Sequence, residues 1–219
     1  MVLCYVPTYF KDSINMPKVK ITYFNLKGLA EGIRLLLTYG DQEFEDVRIE
    51  RKDWPALKPT TPFGVLPFLE IDGKKYSQSS AIGRYLGKKY GLAGKDIEED
   101  FEIDQILDFF NDIRIKAAAV FFETDEKIQV KKQEDLEKNY YPFVLKKLDD
   151  IIAKNNGHVA LGKLTWADFI IGGCYPAFKK LIKISNFDEQ YPNIKKPQEK
   201  LLAIPKLRAY CETAPVTEW

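Results

Sequence analysis

Val65-Leu66-Pro67-Phe68-Leu69-Glu70-Ile71-Asp72-Gly73-Lys74-Lys75-Tyr76-Ser77-Gln78-Ser79 is the stretch on which the fold turns. Residues 65–71 read as a strand. Asp72-Gly73 favours a tight two-residue hairpin, so Lys74 to Ser77 is the returning strand. Ser79 is then expected to cap a helix running to about Tyr90, with Ile82, Tyr85 and Leu86 on one face. Pro67 is the anomaly. It cannot donate to a ladder, so it belongs at an edge, a bulge or a special turn. Residue type alone makes an ordinary trans edge proline the simpler choice.

Upstream, Val19 to Phe24 is β-prone with apolar residues at 19, 21 and 23. Leu29 to Tyr39 has apolar residues at 29, 33, 36 and 37, a helical spacing, and Gly40 stops it. Phe44 to Ile49 reads as a second strand. Asp53 to Pro62 is too rich in Pro and Thr for a long element and reads as a short helix or loop. The order βαβαββα points to an α/β domain with a helix-covered sheet. Gly91-Leu92-Ala93-Gly94 punctuates it as a linker.

Everything after Lys95 reads helical. One stripe runs through Ile103, Ile106, Leu107, Phe110, Ile113, Ala117, Val120 and Phe121. Another takes in Leu136, Tyr140, Phe143, Val144, Leu148 and Ile151, and a third Trp166, Ile170, Ala177, Leu181 and Ile184. Thr165-Trp166-Ala167-Asp168 opens the third helix as a capping box with Asp in place of Glu. Asn193 to about Tyr210 gives one or two shorter helices broken near Pro205. The expected organisation is a peripheral extension at 1–15, an α/β domain at 16–92 and an all-α domain at 97–219.

Composition narrows the function classes. Lys and Arg number 33 against 32 Asp and Glu, so no basic surplus marks a nucleic-acid surface. No apolar run approaches the ~18 residues of a membrane span. Cys4, Cys174 and Cys211 are scattered, which suits a reducing compartment such as the cytoplasm and offers no disulfide framework. With His158 the only histidine, a metal site is short of ligands. His158 reads as a surface residue, and Cys174 and Cys211 as small buried hydrophobes.

Four groups could carry chemistry, and each has a plainer reading. Tyr23, one of 12 tyrosines, is either packing or a hydroxyl donor at a strand end. Such a donor stabilises a thiolate, the nucleophilic form of a thiol, and lowers its pKa. Trp54 and Lys58, four apart, are a surface pair or a joint clamp for a carboxylate. Gln78 and Ser79 are an ordinary helix start or a second carboxylate site on free N–H groups. Leu66-Pro67 is an edge or, in a thioredoxin-like βαβαββ order, the place of a cis proline whose exposed backbone pairs with a peptide-like ligand.

Together these features are specific. Ile21-Thr22-Tyr23-Phe24-Asn25, Trp54-Pro55, Pro62-Phe63-Gly64-Val65-Leu66-Pro67, Tyr76-Ser77-Gln78-Ser79-Ser80-Ala81-Ile82 and the box at 165–168 resemble the sigma-class glutathione transferases, including their prostaglandin D synthase-like members. The resemblance runs from about residue 16 to the end. It implies a thioredoxin-like N-terminal domain that binds glutathione as co-substrate and a helical domain that shapes an electrophile pocket. By the same resemblance Tyr23 donates to the glutathione sulfur. Val65, Leu66 and a cis Pro67 present backbone to the cysteinyl unit. Gln78 and Ser79 hold the γ-glutamyl carboxylate, Trp54 and Lys58 the glycyl carboxylate. Asp112 reaches the γ-glutamyl amine across a homodimer interface. Phe24, Leu29, Asn111 and Ile115 are expected to line the electrophile pocket.

The expected activity is conjugation of glutathione thiolate to hydrophobic electrophiles such as lipid-peroxidation aldehydes. Leu29 stands where members with prostaglandin isomerase activity carry Arg, which weakens the variant reading of a prostaglandin-H2 D-isomerase. Asn111 stands where some relatives have a second Asp, so a metal at the interface is not expected. The alternative is a non-catalytic carrier or crystallin-like protein on the same fold. Thiol–disulfide exchange is disfavoured, because no cysteine lies between Cys4 and Cys174.

Overall fold

The computed structural model describes residues 17–217, so the extension expected at 1–15 lies outside the described residues. The first half comprises β1 (Val19–Phe24), α1 (Gly28–Tyr39), β2 (Glu45–Ile49), α2 (Trp54–Leu57), β3 (Phe68–Ile71), β4 (Lys74–Ser77) and α3 (Ser79–Lys89). The strands form one sheet in the order β2-β1-β3-β4, with β1 parallel to β2 and antiparallel to β3. A parallel pair needs a crossover, and α1 supplies it. Asp72 and Gly73 have φ of 50° and 84°, and Ile71 faces Lys74, so the hairpin turns in two left-handed residues.

Two local expectations need correcting. The third strand begins at Phe68, not Val65: the Leu66–Pro67 peptide is cis, and the last ladder pair is Thr22–Phe68. Ser79 is not the cap of α3 but its first residue. Gln78 flanks the helix with φ 77° and ψ 102°, and no side chain caps it.

The second half is α4 (Ile97–Phe121), α5 (Glu126–Asn139), α6 (Tyr141–Lys154), α7 (Trp166–Ile182), α8 (Phe187–Gln190), α9 (Lys196–Leu202) and α10 (Pro205–Thr213). The single stripe expected from Leu136 to Ile151 is divided between α5 and α6. Tyr140 leaves helical geometry at φ −123°, and Pro142 sits in the first turn of α6, where its missing N–H breaks no hydrogen bond. The new phase turns Phe143 outward, 74% exposed, while Tyr141, Val144, Leu145, Leu148 and Ile152 fill the core.

Helix α7 is the axis of the molecule and packs against α1, α3, α4 and α9. Its capping box is formed as the sequence implies. Asp168, fully buried, accepts hydrogen bonds from Thr165 N (2.7 Å), Thr165 Oγ1 (3.0 Å) and Val159 N (2.9 Å). His158 is not the surface residue expected. Its side chain is 15% exposed, with Nδ1 3.3 Å from Asp168 Oδ1.

The 91–94 joint is docked rather than loose. Leu92 is buried, its N–H donates to Gly87 O, and its carbonyl accepts from Trp166 N at 3.0 Å. The α1–α7 contact between the two halves depends on two glycines. A Cβ at Gly173 would lie 2.5 Å from Gly32 N, and one at Gly32 would lie 2.6 Å from Phe169 O. Only glycine admits this approach.

Candidate active site

One end of the sheet gathers the chemistry. β1 ends at Phe24 opposite Ile49, the end of β2; β3 begins there at Phe68, opposite Ser77, the end of β4. Tyr23, Leu66–Pro67, Gln78 and the turn after β2 therefore emerge together.

Tyr23 is 9% exposed. Leu29 N–H donates to its hydroxyl oxygen at 3.4 Å, so the phenolic proton is left for another acceptor. Burial pushes the Tyr23 pKa above its usual 10, against the lowering effect of the Leu29 N–H. The group is a protonated donor at neutral pH. It sits at the N-terminal end of α1, where peptide dipoles favour an anion. Gly28, at φ 44°, keeps the oxygen open: a Cβ there would come within 2.9 Å of it.

The Trp54 ring meets Phe24 edge-on with centroids 6.1 Å apart, which ties α2 to the end of β1. Lys58 N–H bonds back to Trp54 O, so the two side chains lie one helical turn apart as their spacing implies. The Lys58 ammonium has no carboxylate partner among the described residues. Leu66, beyond the last ladder pair, makes no backbone hydrogen bond among the described residues. Val65 is exposed beside it. The amides of Ser79, Ser80 and Ala81 are the free first-turn donors of α3, because Ile82 N is the first to bond back, to Gln78 O. Asp112 lies exposed on α4.

Next to Tyr23 is a cavity of about 240 Å³ between the two halves. Phe24, Leu26, Gly28, Leu29 and Arg51 line it from the sheet side; Arg114, Ala118 and Phe122 from α4; Cys174, Ala177 and Leu181 from α7. Phe24 and Leu29 stand on this wall; Asn111 and Ile115 do not. Ile115 is 56% exposed, one residue and about 100° round α4 from Arg114. Asn111 donates to Ser80 Oγ at 3.1 Å and accepts from Arg114 Nε at 3.3 Å. Residues 114, 118 and 122 are spaced i, i+4, i+8, and Asn111 lies on the same face one turn before Arg114, so periodicity alone does not separate it from them. Cys174, Ala177 and Leu181 repeat like core residues, and no sequence signal separates them from the core. Burial pushes the Cys174 thiol up to about 11, so it is an un-ionised wall atom and not a nucleophile.

Residues 19–88 match the family model for the glutathione S-transferase N-terminal domain, and residues 111–214 the model for its C-terminal domain. Glutathione S-transferase 2 of Manduca sexta is 58% identical over 93% of this chain and 100% of its own length. This chain belongs to the glutathione S-transferase family.

The transferase is also 36% identical to the hematopoietic prostaglandin D synthase of Gallus gallus, over 92% of this chain and 99% of that protein. A solved prostaglandin synthase D of Nilaparvata lugens is similar at a TM-score of 0.85 and 44% identity, over 92% of this chain and 100% of that one. Insect transferases and prostaglandin D synthases together are the company that the sigma-class resemblance implies. The fold is that of the family, a thioredoxin-like domain followed by a helical one, and glutathione is the co-substrate. No helix among the described residues is long and apolar enough to cross a membrane.

Proposed function

We propose that this transferase binds glutathione along the end of its sheet, activates the thiol with Tyr23, and delivers the thiolate to hydrophobic electrophiles in the adjoining cavity. The observation that carries the reading is the Tyr23 hydroxyl: protonated, relieved of accepting duty by Leu29 N–H, and open to an apolar cavity beside it.

The groups around it suit a tripeptide. A carboxylate on the free amides of α3 gains from the helix end, with Ser79 and Gln78 alongside. Lys58 and the Trp54 indole suit a second carboxylate. The unpaired Leu66 backbone suits the peptide between them as an added strand. Asp112, exposed on α4, suits an amine supplied across a homodimer interface.

With an unsaturated aldehyde, the sulfur of the bound thiolate forms a bond to the β-carbon. The C=C π pair shifts so that the carbonyl oxygen becomes an enolate. The proton given up by the thiol is restored from solvent at the α-carbon. Tyr23 donates to sulfur throughout and forms no bond itself. The test is conjugation of an aryl halide and an unsaturated aldehyde by the native protein and by Tyr23→Phe. Loss of most turnover with glutathione binding retained supports the reading. Turnover undiminished in Tyr23→Phe sinks it. Stabilisation by glutathione with no turnover in either protein would favour the carrier reading.

A prostaglandin isomerase is the second reading, favoured by the likeness to named prostaglandin D synthases. Leu29, an apolar residue on the cavity wall, speaks against it. Product analysis with the endoperoxide separates the two.

A further inference from the structure

The cavity beside Tyr23 has a charge pattern that its apolar walls do not require. Among the described residues its ionised groups are Arg51 and Arg114, one on each side, and no Asp or Glu lines it. Three of the other four arginines are paired with acids, Arg34 and Arg48 with Asp46 and Arg84 with Asp104, at 2.8–2.9 Å, while Arg208 bonds the Leu202 carbonyl. Arg51 and Arg114 have no carboxylate partner among the described residues. The Arg51 guanidinium lies over the Phe24 ring, 5.9 Å from its centroid. Arg114 uses only Nε, donating to the neutral Asn111 amide oxygen at 3.3 Å. Acids are not scarce in this chain, 32 against 33 bases, so two unpaired cations on one small cavity are not a shortage of partners.

Arg51 is exposed and keeps its water, whereas half-buried Arg114 gives up part of its hydration beside an apolar wall with no ion pair to compensate. A bound anion would supply the missing partner, and planar guanidinium groups match a carboxylate through paired N–H donors. Arg114 stands on the cavity side of α4, on the same wall as Ala118.

We infer that the electrophile pocket selects substrates that carry a carboxylate, held between Arg51 and Arg114 while the carbon chain lies along Phe24, Leu29 and Ala118. The inference rests on the transferase reading and names the substrate class of the same site. The chemistry is the addition described above: the S–C bond forms at the β-carbon, the π pair moves to the carbonyl oxygen, and solvent returns the thiol proton at the α-carbon. The carboxylate stays ionised and unreacted.

Two unreactive analogues test it by calorimetry: S-nonylglutathione, and S-(8-carboxyoctyl)glutathione, in which a carboxylate ends a chain of similar length. Both share the glutathione moiety, so the ratio of their Kd values cancels any effect of an arginine on glutathione itself. The native protein is expected to bind the acid about tenfold more tightly at low salt, with the preference shrinking as salt is added. Arg51→Gln and Arg114→Gln should each lower the ratio, and the double variant should bring it to one or below. Arg208→Gln, whose side chain bonds Leu202 O away from the cavity, should leave the ratio unchanged. Tight binding of both analogues with no preference in the native protein, or a preference that survives the double variant, overturns the inference alone. Binding of neither analogue overturns the glutathione reading and the inference with it.

Discussion

Gly173 of α7 lies so close to Gly32 of α1 that a Cβ on Gly173 would sit 2.5 Å from the Gly32 backbone nitrogen. The contact stands beside the candidate active-site cavity: Leu29, one turn before Gly32, and Cys174, directly after Gly173, both line it. Backbone cannot yield as a flexible side chain does. Gly173→Ala is expected to cost about 1–3 kcal/mol, more than the ~1 kcal/mol gained from the better helix former. The midpoint of thermal unfolding should fall by several degrees, and the KM for the electrophile should rise as the halves are levered apart.

Tyr23→Phe removes a donor from the thiolate and should lower kcat for conjugation by about 10²–10³-fold. The pH profile carries the sharper signature. The native rate rises through the lowered pKa of the bound thiol; in the variant that inflection moves up towards the ~8.5 of a free thiol. Tyr23 itself is held above 10 by burial, so it stays protonated across this range and produces no inflection of its own.

Asp112→Ala should weaken glutathione binding by about tenfold if its carboxylate meets the γ-glutamyl amine across a dimer. Exposed on α4, it has little to lose in stability, so the unfolding midpoint should hardly change. Calorimetry and sedimentation together check both parts. Unchanged affinity in a protein that remains dimeric would remove Asp112 from the site.

Asp168→Ala leaves the buried N–H groups of Thr165 and Val159 without acceptors, at about 1–3 kcal/mol each. Urea unfolding should show a loss of several kcal/mol. Asp168→Asn keeps one acceptor oxygen and should lose less.

Glu99 accepts from Lys95 N–H at 3.0 Å and Lys163 Nζ at 2.9 Å, joining the segment before α4 to the loop before α7. These bonds, the Lys95 N–H foremost, hold its pKa at about 2. A depressed folded pKa adds stability above the unfolded value of 4.5, lost as pH falls through it towards about 2. Glu99→Gln should therefore unfold a few degrees lower than the native protein at pH 7 and match it near pH 2. Equal midpoints at pH 7 would show that solvent screens the contact completely.

The sequence by itself determined what depends on near neighbours along the chain. The Asp72-Gly73 hairpin, the capping box at Thr165 and Asp168, and the apolar stripe of α4 are written in a few consecutive residues and formed as read. The candidate site residues from Tyr23 to Ser79 share one sheet end, a grouping that follows once the strand order is known. Local rules also misled where two competed. Pro142 rephased a continuous stripe and turned Phe143 outward, and Gln78 took the flanking position of α3 that Ser79 was expected to hold.

Only the tertiary structure decided which stretch of α4 meets the cavity. Asn111 has nearly the azimuth of Ala118 and Phe122 but lies two to three turns before them, and the cavity takes Arg114, Ala118 and Phe122 only. Helical periodicity fixes a row but not where along it a neighbour opens a cavity. That depends on how α4 packs on α7, which α1 in turn approaches through Gly32 and Gly173, a contact between residues 141 positions apart. Tertiary packing also sets His158 against Asp168 and brings Arg51 and Arg114 to one cavity, since such contacts are properties of distant neighbours.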